Sequence, residues 1–188
     1  TVNGVVGTGL SFSAQIDHQF LGLTEEEAEA WNEDHDRRFA AWCKSSDVAL
    51  ERNLNFYGLQ ELSFRSELER GDIFWLTPMV QRPGAGMQLA MQLIEADRVC
   101  NPGGKLNTDD LIEGVELDPT TREPVAVHVA RLHPADALGK KNDWVRVPLR
   151  GSQTGRRNVL HSFQPLRPGQ VRGVPWIAPI LEPLKQLG

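Results

Sequence analysis

From His161 to Pro179 the chain reads His-Ser-Phe-Gln-Pro-Leu-Arg-Pro-Gly-Gln-Val-Arg-Gly-Val-Pro-Trp-Ile-Ala-Pro, and no other segment restricts the backbone as tightly. Each proline fixes φ and removes an amide donor, and the glycines stand where a tight backbone path needs them. A short apolar strand over 158–163 leads in. Pro175 then opens an apolar helix, at a position where the missing amide costs nothing. Pro179 and Pro183 interrupt that helix further on. Nothing in the segment is a nucleophile, a paired acid and base, or a metal cage. It predicts a rigid structural joint, with Arg167, Gln170, Arg172, Gly173 and Trp176 as joint or subunit-interface residues.

A chain of 188 residues with 40% apolar and 24% charged residues can bury a real core. No apolar run approaches the roughly 20 residues of a membrane helix, so no membrane role is expected. Cys43 and Cys100 belong to no Cys-x-x-Cys pair and read as small core residues. The net charge of −5 hides an asymmetry. Residues 1–119 hold 21 acids against 9 bases, a net of −12, whereas residues 120–188 hold 4 against 11, a net of +7. Such a split favours acidic and basic faces of neighbouring copies meeting in an assembly. Arg150, Arg156, Arg157, Arg167 and Arg172 fall in a window without any acid. Arg150, Arg156 and Arg157 are therefore candidate contacts for a polyanion or an interface.

The pattern predicts an α+β fold, with two or three helices packed on a mostly antiparallel sheet. Leu10, Phe12, Ala14 and Ile16 alternate with polar residues as a half-buried strand does. Thr24-Glu-Glu-Glu27 is a capping box, and Ala28, Trp31, His35, Phe39 and Trp42 give the following helix one apolar face to about Lys44. A second helix runs from about Leu54 to Arg70, ended by Gly71. Strands at 72–80 and 88–94 form one hairpin, and strands at 112–117 and 125–131 another. Strands at 144–149 and 158–163 flank a flexible basic tip at 151–157. Trp31, Phe39, Trp42, Phe74 and Trp75 are expected in the core or at an interface.

Catalytic chemistry finds little footing. The glycine run at 4–9 lacks the Lys-Ser/Thr of a phosphate loop and precedes a strand pattern rather than a helix. Asp34-His35-Asp36 lies mid-helix, where sequence neighbours point apart. His128, His133 and Asp136 share no ligand spacing, and His18 and His161 read as strand-edge residues. Asp109-Asp110 and the Glu25–Glu27 run could hold a divalent ion in a DNA-processing enzyme, but the first is more simply a polar turn and the second is explained by helix capping. No cofactor is expected, and the chain does not read as an enzyme.

The segment from His161 to Trp176 resembles the lambda-type bacteriophage portal proteins through its Arg-Pro-Gly-Gln-x-Arg-Gly-Val-Pro-Trp run. Asn3 to Gly9, the Trp31/Trp42 helix, Arg65 to Phe74, Leu93 to Arg98, Ile112 to Asp118 and Val159 to His161 resemble the same family in order. The resemblance implies a virion structural protein: a homo-oligomeric ring, usually of twelve subunits, at one capsid vertex. Double-stranded DNA passes through it, and terminase, capsid and head-completion proteins dock on it. It implies that residues 1–188 form a single wing or body region of a longer subunit, built in the host cytoplasm, with 175–188 starting a helix toward a stem. The competing reading is another head–tail adaptor, or a metal-dependent DNA-processing enzyme.

Overall fold

The computed structural model describes residues 9–137, 142–179 and 185. Residues 1–8 of the glycine-rich start, and most of the helix that Pro175 opens, lie outside the described residues. The architecture is α+β. Among the described residues it comprises three helices and two antiparallel sheets, of three and four strands. The chain forms two compact units, residues 1–62 with 79–90 and residues 63–78 with 91–188.

The first unit contains α1 (His18–Leu21), α2 (Glu25–Lys44) and the start of α3 (Phe56–Arg70). The predicted capping box sets the first turn of α2. Thr24 Oγ1 accepts from the Glu27 amide at 3.2 Å, and the Glu27 carboxylate accepts from the Thr24 amide at 2.8 Å. The apolar face of α2 meets an aromatic cluster: Phe39 lies 4.7 Å from Phe12, Trp42 lies 5.7 Å from Phe56, and Phe39 and Trp42 are 5.4 Å apart between ring centroids. Trp42 is buried and donates from Nε1 to the Leu89 carbonyl at 3.1 Å. Trp31 departs from expectation: it is 42% exposed and stacks on His35 instead of entering the core.

The segment 10–16 is extended but joins no sheet, contrary to its alternation. Its amides are satisfied by side chains: Leu10 by Gln60 at 2.9 Å, Ala14 by Asp36 at 2.7 Å and Ile16 by Asn32 at 3.3 Å. A backbone whose donors find such acceptors has no need of a neighbouring strand. Ala14 is buried, while Leu10 and Phe12 are 74% and 50% exposed. His18 likewise opens α1 rather than edging a strand, after Asp17 caps that turn.

In the second unit β1 (Asp72–Leu76) pairs with β2 (Gln92–Glu95) and with β7 (Val159–Phe163). The ladder of β1 stops short of the predicted Val80 because Pro78 has no amide to give. Only the Met79–Leu89 bridge and the Val80–Gln88 hydrogen bond continue the hairpin, within the first unit. The second sheet runs β3 (Leu111–Ile112), β4 (Val115–Leu117), β5 (Pro124–Ala130) and β6 (Trp144–Pro148) in that order.

The predicted strand 112–117 is in fact two strands. Glu113 and Gly114 take φ of 46° and 83°, the paired left-handed conformations of a two-residue hairpin turn. Gly114 also lies against the chain at Val99, where a Cβ would sit 2.7 Å from the carbonyl carbon. Both sheets share one core of Phe74, Ile94, Val99, Val115, Val127 and Val159 with their neighbours. The opposite face of β1 and β7 is tied to α3, by Trp75 Nε1 to Ser63 at 3.0 Å and by Ser162 to Glu67 at 2.8 Å.

Gly114→Ala is expected to lower stability by roughly 1–3 kcal/mol or more, from left-handed strain plus the backbone overlap. Gly103 has φ of 67° but nothing within 4 Å, so Gly103→Ala costs only the conformational part, about 1–2 kcal/mol. Urea denaturation midpoints check this; equal losses contradict the close approach.

Candidate functional site: an arginine-centred joint

The segment after β7 returns to the start of β1, and the two backbones touch. A Cβ at Gly173 would overlap the Gly71 carbonyl, and one at Gly71 would lie 2.5 Å from the Val174 carbonyl carbon. Gly71 also ends α3, with φ of 94° and its amide on the Glu67 carbonyl at 2.8 Å. Only two glycines let the chains pass this closely.

The crossing brings Arg172 onto Asp72. The Asp72 side chain is 1% exposed and that of Arg172 12%. Arg172 Nε and Nη2 donate to the carboxylate at 2.6 and 3.1 Å. Nη2 also donates to the Ala96 carbonyl at 3.0 Å, and Nη1 to the carbonyls of Val99 at 2.8 Å and Glu113 at 2.5 Å. All three guanidinium nitrogens are thereby engaged, through as many contacts as the group has N–H donors. The guanidinium carbon stands 5.2 Å from the Phe74 ring centroid, an added cation–π contact. One side chain therefore ties together the head of β1, the turn after β2 and the β3–β4 turn.

Asp72 receives two further donors, His161 Nε2 at 3.0 Å and the Gly173 amide at 3.1 Å. His161 is stacked between Phe74 and Phe163, at 4.0 and 4.5 Å. It lies midway along β7, the outer strand of its three-stranded sheet, opposite Phe74. Burial raises the Asp72 carboxyl, but the His161 bond, the bonds and charge of Arg172 and the Gly173 amide outweigh it and lower it from 3.8 to about 2. The carboxylate is thus ionised at neutral pH, and His161 must present Nε2–H to it. Gln170 closes the loop beside the joint, accepting from the Leu166 amide at 2.8 Å and donating to the Arg172 carbonyl at 2.6 Å. The Trp176 amide donates to the Leu68 carbonyl at 3.2 Å, but its indole ring is 59% exposed.

The sequence candidates thus separate. Gln170, Arg172 and Gly173 converge on the joint with Asp72, Gly71 and His161. Arg167 is exposed, and its guanidinium has no hydrogen-bond or ion-pair partner among the described residues. Arg150 is exposed and reaches the Gly155 carbonyl at 3.3 Å; Arg157 is exposed too. Arg156 is half-buried and donates to the Thr77 carbonyl, and Thr77 Oγ1 donates to the Arg157 carbonyl at 2.7 Å, so the basic tip is anchored to the end of β1. Asp72 and His161 were missed from the sequence. The available signal was an acid heading the apolar run Ile73-Phe-Trp-Leu76, where a buried charge demands a partner.

Other polar clusters are structural. Glu116 accepts from Arg146 at 2.7 and 2.8 Å and contacts His128 at 3.1 Å; the Arg146 bonds foremost lower its carboxyl below the usual range. His133 faces Glu95 at 3.2 Å instead. Arg122 donates to the Asp109 carbonyl and pairs with Asp110 at 3.4 Å, which makes that acidic pair part of a turn. Among the described residues no three His, Cys, Asp or Glu side chains gather as a metal site, and no helix is long and apolar enough to cross a membrane. What the site offers is a fixed mechanical connection.

Comparison with known proteins gives the class. The whole chain, residues 1–188, matches the family described as "Phage portal protein, lambda family", and the chain belongs to that family. It is similar to portal protein B of Escherichia phage lambda, at 21% identity over 97% of this chain. The chain spans about a third (34%) of the length of that curated relative.

Asp72 has a depressed folded pKa, so its contribution is fully present above pH 3.8 and is lost as pH falls through about 2. The shift corresponds to about 2 kcal/mol. Asp72→Asn is expected to cost roughly 3–5 kcal/mol by leaving Arg172 buried without its counter-charge, and to abolish the Asp72 part of the acid-side slope. Glu116→Gln, at a more exposed pair, is expected to cost about 1 kcal/mol or less. Urea titrations between pH 2 and 7 measure both; equal losses, or an unchanged slope in Asp72→Asn, contradict the assignment.

Proposed function

We propose that this chain is the body of a portal subunit, the outer wing of a ring at the unique capsid vertex. Viral DNA enters and leaves through the centre of that ring. The match to the lambda portal family along all of residues 1–188 carries the reading. The ring, usually of twelve copies, receives terminase during packaging and later the head-completion proteins, first in the host cytoplasm and then in the virion. Such a subunit needs no catalytic group. It must hold shape while a motor drives DNA past it, and a joint fixed by a fully engaged buried arginine and two touching glycines serves that need. The segment after Gly173 runs toward the helix opened by Pro175, so the joint sets where that helix leaves the body.

In the full-length subunit, Arg172→Lys and Gly173→Val are expected to abolish rings or reduce DNA packaging at least tenfold. Lysine offers three donors on a point charge in place of a planar fork. A valine side chain at 173 forces the two backbones apart. Arg157→Ala, at an exposed side chain, is expected to assemble and package as the wild type does. Negative-stain imaging and a packaging assay test this. Normal rings and packaging from the two joint variants contradict the proposed role of the joint; a wild-type subunit that forms no ring and supports no packaging contradicts the portal reading.

A further inference from the structure

Two exposed patches on this chain have complementary character. The first lies in the second unit beside the joint. Leu166, Val174, Trp176 and Ile177 are exposed apolar residues there, and Arg167 stands among them without a partner among the described residues. A groove lined by Ile112, Glu113, Leu166, Arg167, Gln170 and Val174, among others, runs through this surface. The loop that forms it is held by Gln170, so the patch is presented on a fixed backbone.

The second patch lies in the first unit. Leu10, Phe12, Phe20 and Leu21 are exposed on the extended segment and on α1. On α2, to which the extended segment is held through Asn32 and Asp36, Glu25, Glu26, Glu29 and Glu33 are all exposed and without a partner among the described residues. At 3.6 residues per turn these four carboxylates fall within about 100° of one helix face. By contrast, the other acids near them are occupied: Glu27 in the capping box, Asp34 with Arg38, and Asp36 on the Ala14 amide.

Each patch thus pairs exposed apolar surface with charged side chains that have no partner among the described residues, Arg167 in the first and four carboxylates in the second. Large exposed apolar side chains rimmed by charge mark interaction surfaces. A ring-forming contact is heterologous: two different patches of the same chain meet, and the contact propagates until it closes. We propose that the Arg167 patch of one copy docks on the α2 carboxylate patch of the next, so that the occupant of this surface is a second copy of this chain. This rests on the ring reading given above. It assigns the free Arg167 and the exposed Trp176 to the interface rather than to the fold of one subunit.

The test is a charge-reversal exchange in the full-length subunit. Arg167→Glu in one variant, and Glu29→Arg with Glu33→Arg in another, each place like charges across every junction. Both variants are expected to keep the wild-type urea midpoint, because none of these side chains has a partner within the described fold. Each alone is expected to sediment as free subunits. Mixed in equal amounts they are expected to recover rings, since alternating copies face opposite charges at every junction. Rings from either variant alone at wild-type yield overturn the interface and leave the ring reading standing. Loss of rings that mixing fails to restore overturns the charge pairing. A wild type that never forms rings overturns the ring reading and this inference with it.

Discussion

The buried pair of Arg172 and Asp72 is the contact on which the second unit depends. Taking two charges out of water is expensive, and the cost is recovered only when their remaining donors and acceptors are also met. Here they are met. The carboxylate accepts from Arg172, His161 and the Gly173 amide, and the guanidinium reaches three carbonyls besides. Those carbonyls belong to the turn after β2 and to the β3–β4 turn, so one ion pair fixes loops from both sheets against the head of β1. The touching of Gly71 and Gly173 is what lets Arg172 reach, and the left-handed Glu113–Gly114 turn is what aims the Glu113 carbonyl. Backbone conformations that only glycine tolerates cheaply are thus tied directly to the charge network.

Arginines elsewhere in the chain are used in the same way. Arg82 donates to the carbonyls of Asp47, Ala49 and Leu50, and Arg98 to those of Ala130 and Arg131. A guanidinium engaged by several carbonyls is not available to a phosphate. Of the arginines in the acid-free window from 150 to 172, Arg150, Arg157 and Arg167 remain exposed, and these are the candidates for external partners. This sorting changes the reading of the basic carboxy-terminal third: its charge excess is in part internal structure.

Local features were legible in the sequence because their causes are local. The Thr24–Glu27 capping box, the termination of α3 at Gly71 and the 3.6-residue apolar face of α2 each involve residues within a turn or two of one another. The α+β class followed from the same patterns. The extended segment 10–16 misled because alternation reports a half-buried chain, not the identity of its hydrogen-bond partners; these are Asn32, Asp36 and Gln60 on helices. The break at Glu113–Gly114 hid because the apolar pattern continues on both sides of it. At the joint, sequence drew attention to Arg167, Gln170, Arg172, Gly173 and Trp176 together. It had no means of pairing Arg172 with an aspartate one hundred positions earlier, or of showing that Arg167 and Trp176 face outward.

Amide hydrogen exchange at the joint tests most directly whether the Asp72–Arg172 pair holds the departing segment to the body. The Gly173 amide donates to Asp72 and the Trp176 amide to Leu68. Both are predicted to exchange as slowly as the Phe74 amide in the core of β1, and to lose protection together when the carboxylate is removed. Gly173 and Trp176 amides that exchange at the rate of unprotected backbone, while Phe74 stays protected, contradict a joint that is rigid in the subunit.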